Sequence, residues 1–291
     1  MTLLETFDFD TAESLLGALR PESRRFSGAR WVFRGQRNAC WGLLPSFCRK
    51  EAFDRFPKVR TSVRPIAEED LRKWGGQWLG TDENERREHA LEIYSRLLMQ
   101  ARMLHDFARL ADELGQPIFG DLPGSIEGVR RRWDDEGLLP GWRFAPGPVL
   151  ALAQHHGIPT LLLDWTWSPQ VAAWFASEDA EPQYEHIAVW AVDLDSVGTV
   201  LRPYFCPRNQ MGFLHAQHGL FIHLTQPFNT ADSMKAWPAF DAIAEGTRIR
   251  KLRLPTSQVP QLRNLLAEDR VSIAHLKPTL DNVWAALRTD W

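Results

Sequence analysis

Cysteine is scarce in this chain, with only Cys40, Cys48 and Cys206 among 291 residues. No two of them form a CxxC pair or a zinc-like spacing, and an odd number fits a reducing compartment better than a disulfide framework. An excess of basic charge is also missing. The formal net charge is −3, so bulk charge gives no support to a general nucleic-acid binder, although a local basic patch is compatible with it. Long apolar runs are absent, and no stretch approaches the ~20 residues that a membrane-crossing helix needs. The opening MTLLETFDFDTAESLL is acidic where a secretory signal would be basic. Low-complexity segments and internal repeats are lacking as well. The expectation is a cytoplasmic, globular protein with no membrane partner.

What is present is enough apolar material for one large or two modest cores, 44% of the residues. The thirteen tryptophans are scattered and are read as packing groups, Trp165 and Trp167 included. Asp10-Thr11-Ala12-Glu13 has the acid-x-x-Glu form of a capping box ahead of Leu15, Leu16 and Leu19, which predicts a helix ending near Pro21. Arg30 to Gln36 alternates like a strand, with Arg34 and Gln36 on one face and Trp31 and Phe33 on the other. Apolar residues at three- and four-residue steps predict a long helix over about 82–114, ended by Gly115 and Pro117. The Gly/Pro-rich region up to Pro148 reads as loops and short turns around Ile126 to Trp133.

Pro148 to His156 reads as a helix stopped by Gly157, and Ser168-Pro169 as the N-cap and first residue of another. Ile187 to Val192, Phe213 to Leu224 and Arg248 to Leu254 read as strands; Val259 to Leu266 and Thr279 to Leu287 read as helices. The predicted class is α+β, with helices concentrated before residue 180 and mixed, mostly antiparallel strands after it. The expected organisation is one domain over 1–291 with a helical insertion at about 50–145.

Several segments carry polar residues in places that suit chemistry. Phe33-Arg34-Gly35-Gln36, "QHHGIPTLLLDWTWSPQVAAWFA" from Gln154 to Ala176, Gln217-His218-Gly219-Leu220-Phe221 and Leu276 to Asp281 together resemble the FRG domain family. That family takes its name from the Phe-Arg-Gly triplet. Leu161 departs from the pattern, standing where an Arg commonly follows Pro-Thr.

The arrangement also resembles, at the level of fold, ADP-ribosyltransferases of the Arg-Ser-Glu type. By that likeness Arg34 would grip the phosphates or ribose of NAD, since a planar guanidinium offers a fork of donors. Thr166 would position the nicotinamide-side ribose at a helix N-terminus, and Ser168 is kept as a cap. Strand alternation over Phe213 to Leu224 puts Gln217 on the polar face, with His215, Gly219 and His223, where the likeness calls for a glutamate. Glutamine cannot supply the negative charge that stabilises an oxocarbenium-like ribose, so either the reaction is slow, or Asp164 supplies the carboxylate, or there is no such reaction.

The candidate catalytic residues are therefore Arg34, Asp164, Thr166 and Gln217. Gln36, Gln154, His155 and His215 are candidate substrate-binding groups. NAD is the candidate substrate, and an ADP-ribosyltransferase or NAD glycohydrolase acting as a toxin or phage-defence effector on a protein or nucleic-acid acceptor is one reading. A non-catalytic nucleotide or nucleic-acid recognition module is the other. A bland role stands beside each: Arg34 pairing with Asp164 within the domain, and Thr166 serving as a turn or capping group. No metal is expected, because His215 and His218, three apart on a strand, would face opposite ways.

Overall fold

A computed structural model describes residues 3–49, 51–78, 84–118, 147–198, 201–208, 211–224, 239–243, 246–282 and 284. The predicted turns around Ile126 to Trp133 lie outside these residues, as do residues 283 and 285–287 of the predicted helix over Thr279 to Leu287. Two units form along the chain. The first comprises residues 1–43, 163–222 and 239–291, and the second residues 44–162 and 223–238.

The first unit is built on a mixed, mostly antiparallel sheet. Its strands are β1 (Leu3–Asp8), β2 (Trp31–Gln36), β3 (Leu162–Thr166), β4 (His186–Asp193), β5 (Leu201–Tyr204), β6 (Gly219–Leu224) and β7 (Arg248–Pro255), in the order β1-β7-β4-β2-β3-β6-β5. β4, IAVWAV at its centre, is buried along nearly its whole length, as expected of a strand covered on both faces. It pairs antiparallel with β2, setting Phe33 opposite Ala191 and Arg34 opposite Trp190, and antiparallel with β7. Period-two alternation then sends Trp31, Phe33, Ile187, Val189, Ala191, Leu252 and Leu254 into one apolar layer. That layer is closed by α1 (Ala12–Leu19), by the helices Pro169–Ser177 and Val259–Glu268, and by Leu276.

The sequence pattern does not predict β1. It runs parallel to β7 with its side chains mostly exposed, so it shows no apolar face to read. Its register is held in part by charge, Glu5 with Arg250 at 2.8 Å and Asp8 with Arg253 at 2.6 Å. The cap of α1 also differs by one residue from the predicted box. Thr11 is the N-cap, its hydroxyl accepting from Ser14 N and the Ser14 hydroxyl accepting from Thr11 N. Three strands precede residue 180, so the predicted division between a helical first part and a strand-rich second part is looser than the sequence suggests.

The second unit is helical: α2 (Pro57–Trp78), α3 (Asn84–Glu113) and α4 (Pro148–His155). α3 is the long amphipathic helix of the sequence pattern, and it ends where Gly115 turns at φ 65° and Gln116 N donates to Ala111 O. α4 stops at Gly157, φ 90°. The expected insertion at about 50–145 falls within this unit. Among the described residues no helix is long and apolar enough to cross a membrane.

The remaining helices belong to the first unit: α5 (Pro169–Ser177), α6 (Gly212–Ala216), α7 (Phe240–Ile243), α8 (Val259–Glu268) and α9 (Ile273–Leu276). α6 is a correction. Phe213 to Leu224 is not one strand, because residues 212–216 are helical and only Gly219–Leu224 is extended. His218 makes the change of direction in a left-handed conformation, φ 50°, which ends the alternation that the sequence suggests.

Candidate functional site

The Phe-Arg-Gly triplet lies at the centre of the first unit's sheet, and each of its residues has a different task. Phe33 is in the apolar layer. Gly35 passes directly under α5, and a Cβ built on it would fall inside the backbone of that helix, at Ala172 O and Ala176 N. The glycine is required for close packing of helix on strand, not for a special φ. Small residues on α5, with Ala172, Ala173 and Ala176 fully buried, complete the approach.

Arg34 stands between them, on the opposite face. The ladder between β2 and β3 is one pair long, Phe33 with Thr166. Beyond it the carbonyl of Asp164 accepts from Arg34 Nη1 at 2.7 Å, so a side chain replaces the next backbone donor. The same nitrogen lies 3.5 Å from Asp164 Oδ2. Arg34 is largely enclosed, its side chain 17% exposed, whereas the Asp164 side chain is 64% exposed. Among the described residues, Nε and Nη2 of Arg34 make no hydrogen bond. The indole N–H of Trp165, the next residue on β3, is buried and also without a partner. An enclosed guanidinium with two of its three nitrogens uncommitted, beside an accessible carboxylate, can take an anion on one side and a hydroxyl on the other.

Thr166 and Gln217 are brought together, but as structural partners. The Thr166 hydroxyl donates to Gln217 O at 2.7 Å and accepts from Ser168 N at 3.0 Å. Ser168 in turn caps α5, accepting from Val171 N. The Gln217 side chain donates from Nε2 to Leu276 O at 3.1 Å. Gln217 is thus the C-terminal cap of α6, not a residue on the polar face of a strand, and its amide ties that turn to α9.

Changing Gln217 to Glu is expected to remove this donor and set a carboxylate oxygen against the Leu276 carbonyl, at a cost of about 1–2 kcal/mol. Urea denaturation measures it, and an unchanged midpoint would mean that the bond is not formed in solution. The position where the likeness calls for a glutamate is thus already engaged in holding the fold.

The other candidates are dispersed. Both ends of the Gln36 amide are taken, Oε1 by the Trp190 indole at 2.7 Å and Nε2 by Gly42 O at 3.2 Å. Lys251 lies over the same Trp190 ring at 4.6 Å. Gln154 and His155 belong to the second unit, where Gln154 Oε1 accepts from the Thr160 hydroxyl and His155 meets His156 edge-on at 5.2 Å. His215 is exposed in the last turn of α6. His215 and His218 are not on a strand, contrary to the sequence pattern, so opposed strand faces do not separate them. Among the described residues, no group of three His, Cys, Asp or Glu side chains could hold a metal ion.

Of the cysteines, Cys48 is buried in the second unit, and burial pushes its thiol up to about 12, so it is inert as a nucleophile. Sequence reading does not find Arg208. It braces the turn after α6, donating to Gly219 O at 3.2 Å and His218 O at 3.4 Å. No local pattern distinguishes it from other arginines.

No curated protein and no solved structure matches the chain. The segment that carries α4, β3 and α5 does match a known family. Residues 127–185 fit the family model described as the FRG domain, and Phe33-Arg34-Gly35, outside the matched residues, packs against that segment's β3 and α5.

Proposed function

We propose that the chain recognises a nucleotide through Arg34 and Asp164, and that it binds this ligand without cleaving it. One observation carries the reading: Arg34 is enclosed and aligned through Nη1 alone, which is bonded to the carbonyl and carboxylate of Asp164, with Nε and Nη2 uncommitted. A guanidinium held in this way presents two donors to a phosphate at little further entropic cost. The exposed Asp164 carboxylate is an acceptor for the ribose hydroxyls. Recognition is favoured over chemistry because the Thr166 hydroxyl and the Gln217 amide are already bonded within the fold, leaving an Arg-Ser-Glu type site without its second and third members.

The catalytic reading keeps one supporting observation, the accessible carboxylate of Asp164 beside Arg34. It would stabilise an oxocarbenium-like ribose and would suit NAD cleavage by a toxin or phage-defence effector, with or without a protein or nucleic-acid acceptor.

The test is a melting curve of the chain with ADP and with NAD, run beside an assay for released nicotinamide. A nucleotide at a hundred times its Kd raises stability by about 2.7 kcal/mol. Arg34→Lys keeps the charge and loses the fork, and is expected to weaken ADP about tenfold or more. Asp164→Asn, at an exposed position, is expected to fold normally and to weaken nucleotides that carry ribose. No thermal shift in the native chain, or equal affinity in Arg34→Lys, overturns the proposal. Nicotinamide release abolished by Asp164→Asn replaces it with the catalytic reading.

A further inference from the structure

Four cations stand along β7, and three of them are paired. Arg248 is bonded to the buried carboxylate of Asp193, Arg250 lies 2.8 Å from Glu5, and Arg253 holds Asp8 through two nitrogens at 2.6 and 2.8 Å. Lys251 differs. Among the described residues its ammonium makes no hydrogen bond and no ion pair, and it lies over the face of the Trp190 ring, 4.6 Å from the centroid.

Lys251 is only partly exposed. Burial holds its pKa below the usual lysine range, and the charge of Arg253 adds to this. The charge of Asp241 acts the other way, but Asp241 makes no ion pair with Lys251, and its Oδ1 accepts from Leu43 N at 2.8 Å. An ammonium taken partly out of water without a carboxylate is unfavourable. A cation–π contact gives its three N–H groups no oxygen to bond. The position suits an anion arriving from solution.

Register places this cation beside the site described above. Arg34 on β2 is directly opposite Trp190 on β4, and Trp190 is directly opposite Lys251 on β7. Residues so paired send their side chains to the same face of a sheet, so Arg34, Trp190 and Lys251 form one rung. With strands about 4.8 Å apart, the two cationic residues are about 10 Å apart at the backbone, and the Lys251 ammonium is drawn toward the middle residue of the rung. Arg253 shares this face but is neutralised by Asp8. On β2 and β7, Arg34 and Lys251 are the cations of this face that keep donors to spare.

We propose that Lys251 is the second cation of the Arg34 site and that the ligand carries a diphosphate, one phosphoryl group meeting the Arg34 guanidinium and the other the Lys251 ammonium. This assignment rests on the nucleotide reading above and names the class of nucleotide, a diphosphate rather than a monophosphate. The two side chains suit different tasks. A guanidinium fork aligns the phosphoryl group it holds, whereas an ammonium supplies a point charge to the group beyond it. Trp190, buried between them, holds the ammonium at its ring while Gln36 fixes its indole N–H.

The test is calorimetric titration at one ionic strength with AMP, ADP and inorganic pyrophosphate. The native chain is expected to bind ADP about tenfold or more tightly than AMP. Lys251→Met keeps the apolar stem and loses the charge; it should erase this preference and weaken pyrophosphate, and Lys251→Arg should restore both. Arg34→Lys should weaken all three probes. Melting curves of the variants without ligand check that each is folded.

The diphosphate assignment is overturned if the native chain binds ADP no more tightly than AMP, or if Lys251→Met keeps the native preference. An equal loss of AMP and ADP in Lys251→Met overturns it as well. All three results leave the Arg34 contact standing. Pyrophosphate bound through both cations, with neither nucleotide binding, would keep the diphosphate site and overturn the nucleotide reading. No binding of any probe overturns both.

Discussion

Gly35→Ala is expected to yield little soluble protein, or a fold weakened by about 3–5 kcal/mol, from the addition of one methyl group. Overpacking usually costs about 1–3 kcal/mol, because side chains turn aside. Here the atoms in the way are Ala172 O, Ala176 N and the carbonyl carbon of Phe175, all backbone. α5 cannot yield locally without breaking its own hydrogen bonds, so it would have to lift from the sheet. The apolar layer between α5, Phe33 and Val189 would open with it.

Losses above about 4 kcal/mol are rare for a single substitution and mark a defined mechanism; here it is a clash of main chain with Cβ. Soluble yield and a urea unfolding curve measure it. A Gly35→Ala variant as stable as the native chain would mean that α5 does not lie on β2 as described. The third letter of the Phe-Arg-Gly triplet is therefore structural, while the second is the one proposed to meet the ligand.

Arg96→Ala is expected to destabilise the second unit by about 3–5 kcal/mol, the cost of removing one partner of a buried ion pair. The Arg96 side chain is 4% exposed. It donates through Nη1 to Phe47 O at 2.8 Å and Arg49 O at 2.7 Å, through Nε to Glu92 Oε1 at 2.6 Å, and lies over the Phe53 ring. Removing it strips two carbonyls of a donor and leaves Glu92 with Arg60 alone, at 2.9 Å. Guanidinium denaturation, followed by helical circular dichroism, reads the loss.

The same network sets a pH dependence. Burial pushes the Glu92 carboxyl upward, but the Arg96 hydrogen bond and the charges of Arg96 and Arg60 outweigh it, so the folded value lies below the usual one. A lowered acid value stabilises the fold above the unfolded value of about 4.3, and this stabilisation is lost as pH falls through the folded value. The native chain is therefore expected to lose stability below about pH 4. Arg96→Ala should show a smaller acid-dependent change. An identical acid profile in the two proteins would mean that Glu92 is not coupled to Arg96.

Much of the fold was determined by the sequence itself. Local rules fixed α3, α4, the Ser168 cap of α5, β2, β7 and α8, because each combines a clear period with a capping residue, a glycine or a proline at its end, and β4 was legible as a continuous apolar run. The adjacency of Arg34 and Asp164 was also legible, since a strand arginine and a carboxylate ahead of a helix have few other ways to be satisfied. Other parts were decided only by tertiary structure. β1 has no apolar face and exists through its ladder and ion pairs with β7. The pattern does not predict α2 as a separate helix, because Pro65 within it argues against one.

Gln217 shows the limit most clearly. Read locally, Phe213 to Leu224 alternates well enough for a strand, and only the left-handed turn at His218, braced by Arg208 and by the Thr166 hydroxyl, divides it. Those partners lie 10 and 51 residues away. Periodicity reports which side of a segment is apolar, because burial acts on each residue where it stands. It carries no record of a hydrogen bond closed across a long loop, so the role of Gln217 became visible only once the chain was folded.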